Sequence, residues 1–318
     1  MPRLADRIVN SGAGLALAAG VARGLPEGVG RGVARRVAEA LARRRDSEVV
    51  RALRANRWVV SGCRLGGDEL DGAVRETLLH QSRCLYDTYR LIDAPRDELL
   101  AHVTPTPEMR EWVERHRSGE PMVVAGPHLS AFDLAIVTLG NLGLNAQVLT
   151  PPDPGAGYRR ENRWRARAGL RVTPASMQAL READRHLGRG GAVVTGIDRP
   201  MPDARNPVRF FGRLAPLTTA HVRLAVRSGA PLLVPLVRGL GDGRYEVGVA
   251  GPVPLDGGRG PDAAAANAER VLEVAAETIR QRPEQWQMPH AVWPEALAEL
   301  DALEGTAPVR REEGDVRA

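Results

Sequence analysis

Apolar and polar positions alternate along this chain in two distinct rhythms. From residue 122 onward, short and nearly unbroken apolar runs are separated by stretches of ten or more residues with helical spacing. The runs predict strands at 122–126, 146–150, 170–173, 191–198, 208–212, 230–239 and 245–253. The stretches between them predict helices ending near Leu142 and spanning 157–168, 176–187, 218–228 and 262–281. Strands that are apolar on both faces must be covered on both faces. The predicted fold is therefore α/β, with a mixed, mostly parallel central sheet flanked by helices. The runs at 230–239 and 245–253, joined by the glycine-rich 239–243, predict an antiparallel pair.

Before residue 105 the rhythm is helical throughout, giving a helical N-terminal extension. Val33, Val37, Ala38 and Leu41 fall at helical spacing within 32–45, with Arg31, Arg35, Arg36, Arg43, Arg44 and Arg45 between them. Further helices are predicted at 47–59 and 71–92, the second with Val74, Leu78, Leu85, Tyr86 and Tyr89 on one side. Pro95 ends it. The expected division is a membrane-facing helical region at 1–104, an α/β domain at 105–305 and a frayed, charged tail at 306–318. Residues 11–22 are mildly apolar and follow Arg3 and Arg7. They are too short to span a bilayer, which takes about 20 apolar residues, so an interfacial or packed helix is expected.

Charge sharpens this picture. The net charge is +5, and every basic residue is arginine. Guanidinium groups grip phosphates in bidentate fashion, so the balance suits an anionic membrane surface or a phosphorylated molecule. Aromatic residues make up only 4% of the chain, which argues against a stacking platform for nucleic acid. Cys63 and Cys84 form neither a disulfide framework nor, with histidines, a zinc-ligand pattern. No metal site is expected. No G-x-S-x-G nucleophile elbow occurs.

The candidate chemistry lies at 122–138, where a strand meets Gly126-Pro127-His128 and then a helix carrying Asp133. A turn histidine can take a proton from a hydroxyl while a carboxylate fixes its tautomer. Spacing alone leaves a second reading equally open. Ser130 to Asp133 fits a helix capping box, and an acid in a first turn suits the helix dipole. Sites in open α/β sheets form at the carboxyl ends of strands. Other strand ends lead into the arginine-rich 158–167, which includes Arg165, into Asp198-Arg199, and into Arg238. Asp198 admits both a strand-end turn and a functional carboxylate.

These pieces together resemble one family. His128-Leu129-Ser130-Ala131-Phe132-Asp133 looks like the HxxxxD box of the lysophospholipid acyltransferase superfamily. It is most similar to the branch of bacterial lipid A lauroyl/myristoyl acyltransferases and phosphatidylinositol mannoside acyltransferases. Arg165 before Gly169, Asp198 after an apolar strand, Phe210-Phe211-Gly212, Ser228-Gly229-Ala230 and Pro283-Glu284-Gln285-Trp286 with His290 and Trp293 follow in the same order. Met288 stands where that last signature usually carries tryptophan. Asn206-Pro207 occupies a place where some members carry a glutamate. The resemblance covers about residues 1–295.

The resemblance implies a membrane-surface O-acyltransferase. It would move a fatty acyl chain from a thioester, acyl-CoA or acyl-carrier protein, to a hydroxyl of a glycolipid or phospholipid. His128 would be the base and Asp133 its orienting acid, with Arg165, Asp198 and Arg199 at substrate. No bound cofactor is implied. The expected setting is the cytoplasmic face of the cell membrane, with peripheral or weak attachment. A lysophosphatidic-acid-type acyltransferase is the nearest alternative, although its EGTRS-like block is missing. A catalytically silent lipid-binding protein is the alternative of another class.

Overall fold

The computed structural model describes residues 24–91, 94–150, 156–201 and 206–306. The apolar segment at 11–22 and almost all of the expected tail lie outside these residues. The described chain is α/β, as the two rhythms predict. Its helical start comprises α1 (Glu27–Ala42), α2 (Glu48–Val60), α3 (Gly67–Leu91) and α4 (Arg96–His102). Strands β1 (Val103–Pro105), β2 (Met122–Gly126), β3 (Ala146–Thr150), β4 (Arg171–Pro174), β5 (Ala192–Gly196), β8 (Leu232–Gly241) and β9 (Arg244–Ala250) form one sheet. The helices α5 (Pro107–Arg117), α6 (Phe132–Asn141), α7 (Ala156–Arg167), α8 (Met177–Leu187), α9 (Ala220–Ser228), α10 (Pro261–Gln281) and α11 (Pro294–Thr306) complete it.

The seven strands lie in the order β1-β9-β8-β2-β5-β3-β4. All neighbours are parallel except β8 and β9. After β2 the chain builds outward on one side through β3, β4 and β5, then crosses to the other side for β8 and β9. β2 therefore sits where the strand order reverses, the place where open sheets form crevices. Its register sets Gly126 beside Gly196 of β5. The turns that leave these two strands must emerge side by side.

Five elements depart from the expected pattern. Helices α4 and α11 and strand β1 are short or carry too few periodic apolar positions to stand out. The run at 208–212 is not a strand of the main sheet. It forms β6 (Val208–Phe210), which pairs antiparallel with β7 (Arg213–Ala215) in a separate hairpin. Phe211 and Gly212 both take positive φ in its turn, and a two-residue turn with positive φ favours such a hairpin.

The N-terminal helices share the core of the sheet. Ala55, Trp58, Leu70, Tyr86 and Tyr89 join one buried cluster with Val123, Val193 and Leu233. The inward face of α1 is not the one its valines suggest. Gly30 and Ala38 are buried, while Val29, Val33 and Val37 are 51%, 44% and 62% exposed. The reason is close packing on α3. A Cβ at Gly30 would lie 2.4 Å from Cε2 of Tyr86, so the smallest residues must face inward and the valines face out. Among the described residues no helix is long and apolar enough to cross a membrane.

Candidate active site

His128 leaves β2 through Gly126-Pro127, and Asp198 leaves β5 through Ile197. The ladder between the strands extends one bond further, from Ile197 N–H to Gly126 O at 3.2 Å. Beyond it the two turns meet. His128 Nδ1 lies 2.6 Å from Asp198 Oδ1, and the His128 backbone N–H donates to Asp198 Oδ2 at 2.8 Å. The indole N–H of Trp286 donates to the same Oδ2 at 2.7 Å. Asp198 is fully buried. An unpaired carboxylate would be costly there, but three donors hold it in its charged form.

This geometry fixes the imidazole. A charged carboxylate on Nδ1 keeps the proton there and leaves Nε2 as an acceptor. The ring edge of Phe132 packs against it, with centroids 4.7 Å apart. On the other side it lies over Gly196, where a Cβ would approach Cε1 to 2.8 Å. Only glycine at the end of β5 leaves room for the ring.

Burial opposes charging His128, but the Asp198 carboxylate more than offsets it and raises the imidazole pKa above its ordinary value. Asp133 adds to the rise and Arg199 opposes it. For Asp198, burial acts upward and is outweighed by the nearby imidazolium and by its hydrogen bonds. Its pKa lies below the ordinary carboxylate value.

The partner of His128 is thus Asp198, and Asp133 is placed differently from the sequence reading. Asp133 forms an ion pair with Arg165, whose Nη1 also donates to Asn162 Oδ1 at 2.7 Å. Both side chains are largely buried. The cause is local: α6 begins only at Phe132, so Asp133 rides its first turn toward α7. Arg165, read as a substrate ligand, is turned onto this internal carboxylate. Arg199 is half-buried and close enough to act through space on both His128 and His290.

Ser130 is not a helix cap either. The N-cap of α6 is Ala131, with no side-chain capping bond. Ser130 has φ of 45°, and that turn sends its hydroxyl into a buried polar knot. Its Oγ donates to Gln285 Oε1 at 2.8 Å, accepts from Gly239 N–H at 3.1 Å and lies 3.0 Å from His80 Nε2. Gln285 also holds Gly239 through both its oxygen and its nitrogen. Ser130 N–H donates to Gln285 O, and Gln287 N–H donates to His128 O, each at 2.8 Å. The histidine turn is therefore zipped to residues 285–287 on its backbone, closed by a bridge between Leu129 and Trp286.

The Pro283–Trp286 signature is recognisable in the sequence, but its contacts are not. It is this segment that clamps both members of the pair. It is held from behind by Asn56 of α2, which donates to the carbonyls of Met288 and His290 and accepts from Val292 N–H. Phe210, Phe211, Trp286 and Trp293 form an aromatic cluster around it. Among the described residues no group of three or more histidine, cysteine or acidic side chains could hold a metal ion.

The sequence profile described as "Bacterial lipid A biosynthesis acyltransferase" matches residues 8–294. The chain belongs to this family. It is accordingly an acyltransferase of lipid biosynthesis, with a lipid acceptor. No curated protein matches the acyltransferase significantly over its sequence. The profile extends from the N-terminal helices through Trp293, and so includes every residue of the pair, its clamp and Asn56.

Proposed function

We propose that this acyltransferase moves a fatty acyl chain from a thioester, acyl-CoA or acyl-carrier protein, to a hydroxyl of a lipid A or phosphatidylinositol mannoside type acceptor. The observation that carries the reading is the His128–Asp198 pair, with Nδ1 occupied and Nε2 left to accept. The acceptor hydroxyl gives its proton to Nε2 as its oxygen attacks the thioester carbonyl. Asp198 orients the ring and stabilises the imidazolium. The tetrahedral oxyanion needs donors. The unpaired N–H groups that open any helix stand ready at the start of α6, on the same turn as His128. Collapse expels the thiolate, which takes the proton from Nε2 and leaves as thiol. No covalent acyl-enzyme forms.

In this reading Asp133 and Arg165 act as a buried pair that braces the floor of the site. Arg199 faces the anionic part of a substrate. Residues 1–104 form the membrane-facing part, and the protein works at the cytoplasmic face of the cell membrane through peripheral or weak attachment. The exposed valine face of α1, bordered by Arg35, Arg36 and Arg43, supports this setting: apolar side chains enter the interface while guanidinium groups meet anionic lipid.

The test is lipid mass spectrometry. A strain lacking the protein is expected to lose one acyl chain from one lipid class. Expression of the wild type restores it, and His128→Ala does not. Restoration by His128→Ala would overturn the catalytic assignment.

A further inference from the structure

A second charged pocket borders the Pro283–Trp286 segment at Pro283. The carboxyl end of α2, the turn after it and the end of α10 enclose a pocket of about 570 Å³. Its charged lining is of one sign: Arg57, Arg64 and Arg280. Val60, Leu65 and Pro283 supply apolar wall.

Arg57 is the unusual member. It is only 7% exposed, and neither Nε nor Nη1 has a hydrogen-bond partner. Burial pulls its pKa below the ordinary guanidinium value. Glu284 and Glu76 oppose this only through space. The last turn of a helix welcomes a cation, which explains a basic residue there but not its unpaired nitrogens. A buried guanidinium normally finds an oxyanion. The other two arginines are exposed and only partly engaged. Arg64 Nε donates to Ser61 O at 2.8 Å. Arg280 pairs with Glu273 at 2.7 Å and lies over the Phe211 ring.

We infer that this pocket binds a phosphate group carried by an organic molecule, with Arg57 as its buried anchor and Arg64 and Arg280 closing over it. Three guanidinium groups around one cavity, and no lining carboxylate, select a multiply charged oxyanion over a simple carboxylate. The apolar wall accommodates the body of an ester or pyrophosphate. Pro283 lines this pocket while Trp286, three residues on, holds Asp198, so an occupant would also steady the clamp on the catalytic pair. The inference does not depend on the proposed acyl transfer.

Calorimetric titration of the full chain with inorganic pyrophosphate at low salt tests it. Saturable one-to-one binding that weakens with added chloride is expected. Arg57→Met, which keeps the volume and removes the charge, is expected to weaken binding by about ten-fold or more, the scale of a lost charge-assisted pair. Absence of binding by the wild type, or binding by Arg57→Met within about two-fold of it, would overturn the inference. Should Arg57→Met fail to fold, the exposed pair Arg64→Gln/Arg280→Gln decides on the same scale, and undiminished binding there overturns it equally. Competition by CoA but not pantetheine would identify a soluble donor as the source of the phosphate. Arg57-dependent flotation with phosphatidate vesicles but not phosphatidylcholine vesicles would identify a lipid headgroup.

Discussion

Replacing Asp198 by asparagine separates the two carboxylates that could serve His128. Oδ2 of Asp198 accepts from Trp286 Nε1 and from the His128 backbone, at 2.7 and 2.8 Å. Asparagine has one oxygen, and those two donors will claim it. Its NH₂ must then occupy the position 2.6 Å from Nδ1. An amide donor facing Nδ1 forces that nitrogen to accept, and the ring proton moves to Nε2. A protonated Nε2 cannot take the proton of the acceptor hydroxyl. The fold is little disturbed, yet the tautomer is wrong. The expected loss in kcat is about 10³–10⁴-fold, or roughly 4–5.5 kcal/mol of barrier. Asp133→Asn gives the opposite pattern. It leaves Arg165 buried without its carboxylate, which costs stability on the order of 3 kcal/mol, while kcat stays within about ten-fold of wild type. Both variants are compared by steady-state acyl transfer from an acyl thioester and by urea denaturation. If Asp133→Asn abolished turnover in folded protein while Asp198→Asn retained it within ten-fold, the reasoning from Nδ1 would be refuted.

Trp286→Phe removes one hydrogen bond to a buried carboxylate while keeping an aromatic ring. Such bonds contribute about 1.5–3 kcal/mol. Turnover is expected to drop roughly ten-fold or more, and full retention would show that the indole does not orient Asp198. In wild type the acid limb of the rate profile reports protonation of His128. It should therefore lie above the ordinary histidine value of 6.5, because the Asp198 carboxylate outweighs burial, and an acid limb below 6.5 would contradict this. Gly196→Ala puts a methyl against Cε1 of His128 and is expected to lower kcat by about 10² with a modest loss of melting temperature. Normal activity would mean that the ring can shift without consequence. His221 is fully buried with neither ring nitrogen paired, and burial pulls its pKa to about 4. His80 is also lowered to about 4, by burial and then by Arg83. Both bind fewer protons folded than unfolded, so stability is full above pH 6.5 and falls as pH drops toward 4, by about 3 kcal/mol for each group. His221→Leu should remove one proton's share of that slope in denaturation measured from pH 7 to pH 4, and an unchanged slope would exclude His221 as its source.

The sheet was legible because its strands are short apolar runs, and such runs need no knowledge of their neighbours to be recognised. Which strands are neighbours was not legible. Asp133 stands five residues from His128 and invites pairing. Asp198 stands 70 residues away and reaches His128 only because β2 and β5 lie in register. The sequence showed a carboxylate at the end of an apolar strand, and that position was the usable signal. Arg165 looked available for an anion because its acidic partner sits on another helix. On α1 the periodicity is right, and Ala38 and Leu41 do turn inward, but Val33 and Val37 turn out, since helical spacing cannot weigh a close Gly–Tyr contact against exposed valines. Glutamine and tryptophan of the Pro283–Trp286 signature carry no chemistry that announces itself. Their part is visible only once the chain returns to the histidine turn.

That return has a consequence for synthesis. Gln285 meets Ser130 across 155 residues of chain. At about 5–20 residues per second of translation, the segment that completes the base emerges on the order of 10 s after the histidine itself. During that interval β2 to β5 can assemble, but His128 lacks the strap on its backbone and Asp198 lacks its indole. A nascent chain therefore exposes no finished reaction centre to the thioesters around it, and competence arrives with almost the last part of the fold.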